Sequence, residues 1–361
     1  MRKLFTTILL ALDALLLVVF LGGYMAYFIR PDVLWWIELV AVVLPYVGLA
    51  VILATIPIVV AGRWRLALLH GVLILLMVVR ANPMHTRSGA SDASGDTLSV
   101  LTFNVPRWWG YEMETKTKTA EMSALIQRAD PDVIGLQEAP STYHPESPHF
   151  QAPAYVQALH DSLGYGVVAS QSTGPTYTPQ PVFSRQQLAR QDEYQLRRSS
   201  NDPVYTHVTR TQIRWKHRDI AVYNVHLRTF GEKPWEEESL PFFRPRNLLP
   251  YLRQYRDAYD VRAWEVEEIL SMVDGEDMPV ILLGDLNSTP NNWVYGRVTD
   301  RLRDAFGEKG KGWGMTYHTR LPLVRIDYVF VSEEWDVISA RVLDAYLSDH
   351  LPVLVGLRLR N

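Results

Sequence analysis

The chain has 361 residues, 48% of them hydrophobic and 11% aromatic, a length and apolar content that argue against disorder and allow two or three folding units. It has no cysteine, which excludes disulfide scaffolds, thiolate zinc sites and cysteine nucleophiles. Residues 96–361 carry 29 Lys/Arg against 35 Asp/Glu, and a net charge of −6 argues against a protein that coats nucleic acid non-specifically.

Three apolar stretches open the chain: Leu4 to Ile29, Val33 to Ala61 and Leu66 to Val79. A helix needs ~20 mostly apolar residues to cross the ~30 Å hydrocarbon core. The first two stretches have that length, and Trp64, Arg65 and Arg80 extend the short third by snorkelling. Three transmembrane helices are therefore expected over residues 1–81. A cleaved signal peptide is disfavoured, because the first run is too long and lacks a small-residue cleavage site. Arg2, Lys3, Arg63 and Arg65 place the N-terminus and the second turn in the cytoplasm. An odd number of spans then puts the rest of the chain outside the cytoplasm, on an integral protein of the inner or plasma membrane. Asp13 is costly in lipid and is expected to make a packing contact. Residues 82–97 (NPMHTRSGASDASGDT) read as a flexible linker.

Beyond it, 98–361 reads as one soluble domain. Strands are expected at 98–105, 132–138, 165–170, 180–185, 204–215, 219–227, 278–287, 325–332, 338–344 and 352–359. Helices are expected at 115–130 and 259–273, with 228–258 as a long insertion rich in aromatic and basic residues. Many strands with few helices suggest two packed sheets flanked by helices.

Several strands end in polar residues that packing does not need. These are Asn104; Gln137 and Glu138; Asn224 and His226; Asp285 and Asn287; Asp327; and the loop pair Asp349 and His350. Burying such groups without partners costs several kcal/mol, so they either cluster or reach solvent. Each alone has an ordinary structural explanation: a strand-end carboxylate, an Asx turn, a satisfied core histidine.

The ordered set FN, QE, NVH, GDLN, RIDYV and SDH resembles the endonuclease/exonuclease/phosphatase (DNase I-like) superfamily over about residues 97–360, and the N-terminal spans resemble a membrane-anchored bacterial subgroup of it. The resemblance implies an α/β fold, a four-layered α/β sandwich of two facing mixed sheets, here preceded by the three transmembrane helices. It also implies a phosphoric ester hydrolase. Glu138 resembles the principal ligand of a divalent metal, Mg²⁺ or Mn²⁺, with Asn104 beside it and Asp349 completing the environment; hard oxygen donors suit such an ion. Asp285 would orient or deprotonate the attacking water and Asn287 would donate to a phosphate oxygen. His226 and His350 would stabilise charge and face the scissile phosphorus, with Asp327 fixing His350. Asn104, His226 and Asn287 are the expected substrate contacts, Asn224 a brace. Arg185 resembles a bracing residue near the site. Arg262 is equally a phosphate contact, a brace or a solvated charge, and Tyr317 and His318 lie where family members meet substrate.

The tether suggests a phosphodiester or lipid-headgroup phosphate near the membrane. An extracytoplasmic nuclease acting on DNA or RNA is the alternative, disfavoured by the acidic domain. A catalytically silent membrane receptor is a third reading, and it has no need for the whole residue set.

Overall fold

The computed structural model describes residues 2–81, 97–105, 116–139, 158–167, 180–198, 206–231, 245–318 and 324–360. The expected linker 82–97 lies, but for Thr97, outside the described residues, as do 168–170 and 232–244. The chain divides into two compact units. One comprises 1–83, 229–263 and 288–297; the other comprises 84–228, 264–287 and 298–361.

In the first unit, α1 (Arg2–Met25), α3 (Leu44–Val60) and α4 (Trp64–Ala81) pack around Phe20, Leu44, Val51 and Met77, while α2 (Pro31–Val42) packs Ile37 and Ala41 against Ala26. Three spans were expected, and the structure corrects this. Among the described residues one helix, Thr6–Met25, is long and apolar enough to cross a membrane; a second span exists only if α2 and α3, bent by 65° at their junction, count as one. Pro45 is the physical reason: it sits in the first turn of α3, has no N–H to give back to α2, and disfavours helical backbone just before it. The third run, α4, has 18 residues, about 27 Å at 1.5 Å per residue, and carries Arg65 and Arg80. Asp13 is buried against His70, its Oδ1 3.2 Å from Nε2, and His70 Nδ1 lies 2.9 Å from Thr55 Oγ1.

The second unit holds two six-stranded sheets among the described residues. The strands are β1 (Leu98–Asn104), β2 (Val133–Gln137), β3 (Gly166–Val167), β4 (Val182–Ser184), β5 (Gln187–Leu196), β6 (Thr206–Trp215), β7 (Arg218–His226), β8 (Val280–Asp285), β9 (Arg303–Asp304), β10 (Asp327–Val331), β11 (Trp335–Val342) and β12 (Val353–Leu359). One sheet has the order β11-β12-β1-β2-β4-β3, the other β5-β6-β7-β8-β10-β9. Each is mixed, with one parallel pair, β1/β2 and β7/β8 respectively. Val100, Val133 and Val355 of the first sheet share one core with Val222, Ile281, Leu283 and Val329 of the second, so the sheets face each other. On the far side of the first sheet, α5 (Lys116–Ala129) packs Met122, Leu125 and Ile126 against Leu101, Phe103 and Ile134.

The long helix α6 (Pro245–Asp274) begins well before the expected 259 and takes up much of the presumed insertion. Its second half lies against the outer face of the second sheet, where Glu265 accepts from the Thr206 hydroxyl and from the Arg228 N–H. Just beyond it, Glu276 takes Arg210 Nε at 2.5 Å and the Tyr223 hydroxyl at 2.8 Å. Two glycines let the core close. A Cβ on Gly135 would overlap Leu283 of the facing sheet, and one on Gly284, at φ +136°, would overlap the Val225 carbonyl.

Candidate active site

Sheet register gathers the site. In the second sheet, parallel pairing sets His226 opposite Asp285, and antiparallel pairing sets Asp327 opposite Asp285 from the other side. In the first sheet, Asn104 pairs with Gln137, and Glu138 is the next residue. Three neighbouring strand ends of one sheet thus meet two of the other.

Asp285, 1% exposed, is the hub. Its Oδ1 accepts the Asn287 N–H at 2.7 Å. Its Oδ2 accepts from Asn104 Nδ2 across the sheets at 2.9 Å and lies 3.6 Å from His226 Nε2 and 3.9 Å from His350 Nε2. His226 Nε2 also lies 3.7 Å from Glu138 Oε1. Glu138 and His350 are therefore joined through His226 and Asp285 by contacts of less than 4 Å. Glu138, with a third of its side chain exposed, marks the open side.

Electrostatics follow from this crowding. Burial, then the nearby Asp327 charge, push the Asp285 carboxyl above the usual carboxylate range, while His350 and His226 oppose the rise. For His350, burial favours the neutral ring. The charge and hydrogen bond of Asp327, helped by Asp285 and Asp349, outweigh it and lift the imidazole to about 10. Asp327 reaches His350 Nδ1 with both oxygens, at 2.9 and 3.1 Å, so Nδ1 carries a proton and Nε2 faces Asp285.

Glu138 (φ 54°) and Asn287 (φ 48°) both sit in the left-handed region, which non-glycine residues rarely adopt. Such strain persists where surrounding structure over-determines it, and it concentrates at functional sites. Asn287 Nδ2 is given to the Leu227 carbonyl at 3.0 Å and, more weakly, to Asp285 at 3.4 Å. In this structure its amide steadies Asp285. Asn224, fully buried, takes Gln137 Nε2 at 2.6 Å and donates to the Leu136 and Pro181 carbonyls at 2.8 and 3.0 Å, a brace between the sheets.

For a metal, two groups of residues come into question. Asp285, Asp327 and His350 offer ligand atoms within 4.8 Å of one another. Their donors and acceptors are already turned on each other, which reads as a hydrogen-bonded relay. Asn104 gives its amide nitrogen to Asp285, which leaves its carbonyl oxygen, and Glu138 ends the adjacent strand with a partly exposed carboxylate. A hard amide oxygen and a carboxylate at neighbouring strand ends fit the donor set of a small divalent ion. Asp349 lies in the loop before β12, with Oδ1 accepting from the Ser348 hydroxyl at 3.2 Å.

Thr316 takes a place the sequence did not reveal, while Tyr317, His318, Arg185 and Arg262, named from the sequence, find definite partners. Thr316 Oγ1 accepts the N–H groups of Ile326 and Asp327, both at 3.1 Å, and so fixes Asp327. The Tyr317 ring stands edge-on to His350 at 5.0 Å. His318 bonds to the Ser348 carbonyl at 2.6 Å, holding the loop that carries His350. No short motif marks Thr316. Arg185 pairs with Asp130 at 2.5 Å near the start of β2, the opposite end from Glu138, and so does not brace the site. Arg262 is fully buried, with its guanidinium over the Phe230 and Tyr259 rings at 4.3 and 4.5 Å, which makes it a brace and excludes a solvated charge.

Two facing mixed sheets with a buried carboxylate–histidine relay at their ends define the α/β-sandwich class of phosphoesterases. Residues 110–350 match the Endonuclease/Exonuclease/phosphatase family, and the chain belongs to it. Among solved structures, an endonuclease/exonuclease/phosphatase family protein from Leptotrichia buccalis C-1013-b is 18% identical, with a TM-score of 0.51 over 73% of this chain and 100% of that one. A functionally unknown conserved protein from Enterococcus faecalis V583 is 15% identical, also at 0.51, covering 73% and 100%. A family protein from Bacteroides thetaiotaomicron is 16% identical at 0.50, covering 73% and 98%. At these identities the likeness is one of fold. No curated protein matches the chain.

Proposed function

We propose that the protein is a divalent-metal-dependent phosphoesterase, held to a membrane by its N-terminal segment and acting on a phosphodiester or lipid-headgroup phosphate at that surface. The observation that carries this reading is the convergence of Asn104, His226, Asn287 and His350 on the one buried carboxylate of Asp285, beside Glu138.

In this reading residues 1–81 form the anchor, 82–97 the linker and 98–361 the catalytic part. Asn104, Glu138 and Asp349 hold Mg²⁺ or Mn²⁺, which when bound offsets the negative charge of the phosphoryl oxygens. Asp285, its proton affinity raised by burial, orients the attacking water and accepts its proton. Asn104 and Asn287 keep the Asp285 carboxylate aimed. His350, held as an imidazolium by Asp327, places positive charge where the transition state gathers negative charge. His226 stands between Glu138 and Asp285, at the position where a phosphate oxygen enters.

One crossing by α1, with the bent pair re-entrant, leaves the catalytic part outside the cytoplasm and moves the Arg63/Arg65 turn there with it, against its expected cytoplasmic side; reporter fusions after residue 90 test this. Full-length protein in detergent micelles with Mg²⁺ should hydrolyse bis-p-nitrophenyl phosphate, and Asp285→Ala should remove that turnover while the melting transition persists. Undiminished turnover in the variant would defeat the assignment. A panel of phospholipid vesicles, single-stranded DNA and duplex DNA with the same preparation identifies the substrate class.

A further inference from the structure

Residues 288–293 (Ser-Thr-Pro-Asn-Asn-Trp) begin immediately after Asn287 and belong to the same compact unit as the N-terminal helices. Asn292 is fully buried and its side chain is saturated. Its Oδ1 accepts the Thr289 N–H at 2.7 Å and the Thr289 hydroxyl at 2.6 Å, closing a turn. Its Nδ2 donates to Glu38 Oε2 at 2.6 Å and to the Glu38 main-chain carbonyl at 3.0 Å. Glu38 Oε1 faces the Trp293 N–H at 3.4 Å, and Asn291 Nδ2 reaches the Ala41 carbonyl at 3.4 Å. From the other side, Arg262 Nη1 donates to Ser288 Oγ at 3.2 Å.

Glu38 is 0% exposed and lies on α2, in an otherwise apolar stretch. A tether needs no carboxylate there, and burying one without partners costs several kcal/mol. Its partners are the main chain and side chain of the segment that follows the catalytic Asn287. That asparagine sits at φ 48°, in the left-handed region that asparagine enters more readily than most residues, so its neighbours decide whether it stays there. Asp285 and Leu227 fix its own N–H and amide. The following residues are fixed by Arg262 and Glu38.

We propose that Glu38 is a positioning residue for phosphoester hydrolysis. It sets the conformation of residues 288–293, and through them the backbone of Asn287, so the N-terminal segment is a working part of the enzyme. This rests on the hydrolase reading above.

The test uses full-length protein in detergent micelles and four variants: Glu38→Ala, Glu38→Gln, Asn292→Asp and the double Glu38→Gln/Asn292→Asp. A displaced catalytic group costs about 10- to 100-fold in rate, so Glu38→Ala should lower kcat on bis-p-nitrophenyl phosphate by about that factor with KM unchanged. Glu38→Gln keeps an acceptor for Asn292 and should stay within about threefold of wild type. Asn292→Asp sets one carboxylate against another and should fall like Glu38→Ala. In the double variant the new amide can donate to the new carboxylate, so activity should return toward that of Glu38→Gln, a non-additivity expected of residues in contact. Wild-type kcat in Glu38→Ala, equal losses in Glu38→Ala and Glu38→Gln, or a double variant no better than Asn292→Asp would overturn the proposal. If wild-type protein hydrolyses no phosphodiester, the hydrolase reading fails. The grip is then judged by the melting temperatures of the same proteins, where rescue in the double variant supports it and additive losses overturn it.

Discussion

Replacing Asp327 by Asn probes the relay with least disturbance, because the side chain keeps its shape. Its backbone stays pinned by Thr316 and by pairing with β8. What changes is the charge facing His350 Nδ1 at 2.9 and 3.1 Å. With the carboxylate present the imidazole titrates at about 10. Without it, burial pulls that value down, opposed now only by the charges of Asp285 and Asp349. Each pH unit of that fall removes about 1.4 kcal/mol of preference for the charged ring. The sign is set by a raised value: wild-type His350 keeps its proton from acid through neutral pH and loses it only toward pH 10, whereas the variant loses it at a lower pH. At pH 8 the variant should therefore turn over bis-p-nitrophenyl phosphate about 10²- to 10⁴-fold more slowly, the range lost when a positioned acid–base group fails. The variant-to-wild-type ratio of kcat should climb as pH falls toward 5.5. A ratio within threefold of one at pH 8, or one that does not change with pH, would refute the role given to His350.

Other perturbations have equally definite outcomes. Chelation with EDTA should abolish turnover and added Mg²⁺ or Mn²⁺ should restore it; full activity after exhaustive chelation would sink the metal assignment. Burial would raise the carboxyl of Glu276, but hydrogen bonds from Arg210 and Tyr223 bring it below its ordinary 4.5, so its contribution to stability is present above pH 4.5 and disappears as pH falls through the lower, folded-state value. Glu276→Gln should accordingly cost about 2–4 kcal/mol at pH 7, seen as a lower melting temperature, with the difference from wild type shrinking in acid. Asn224→Ala strips partners from Gln137 and from two carbonyls and should destabilise by about 2–3 kcal/mol, measured the same way. Gly284→Ala drives a Cβ into the Val225 carbonyl and should yield little folded protein, by gel filtration of the purified chain.

Much of the two-sheet unit was legible because its central strands are buried on both faces. VILLG before Asp285, and LTF before Asn104, are apolar runs too continuous to be anything but core, so a polar residue at their ends stands out. β5 was missed for the converse reason. Residues 187–196 (QLARQDEYQL) form a sheet edge, where exposed charged side chains erase the apolar signal and also discourage edge-to-edge pairing. The start of α6 was hidden by Pro250, which reads as a breaker but lies inside the helix. Thr316 could not be found at all, since its value is one hydroxyl placed under the Asp327 N–H by a distant turn.

The N-terminal segment shows where local reading stops. Hydropathy averages over a window, so residues 33–61 pass as one span although Pro45 divides them into two helices bent at 65°. The charged residues within those windows are more informative than the averages. Asp13 and Glu38 each carry a desolvation cost that apolar neighbours cannot offset, so each implies a partner elsewhere in the chain. The sequence reveals the cost but not the partner: His70 lies 57 residues from Asp13, and Asn292 lies 254 residues from Glu38. In the first case both residues lie within the helical bundle, and the contact joins helices. In the second the partner adjoins the GDLN turn, and the same physical requirement ties α2 to the segment that follows Asn287.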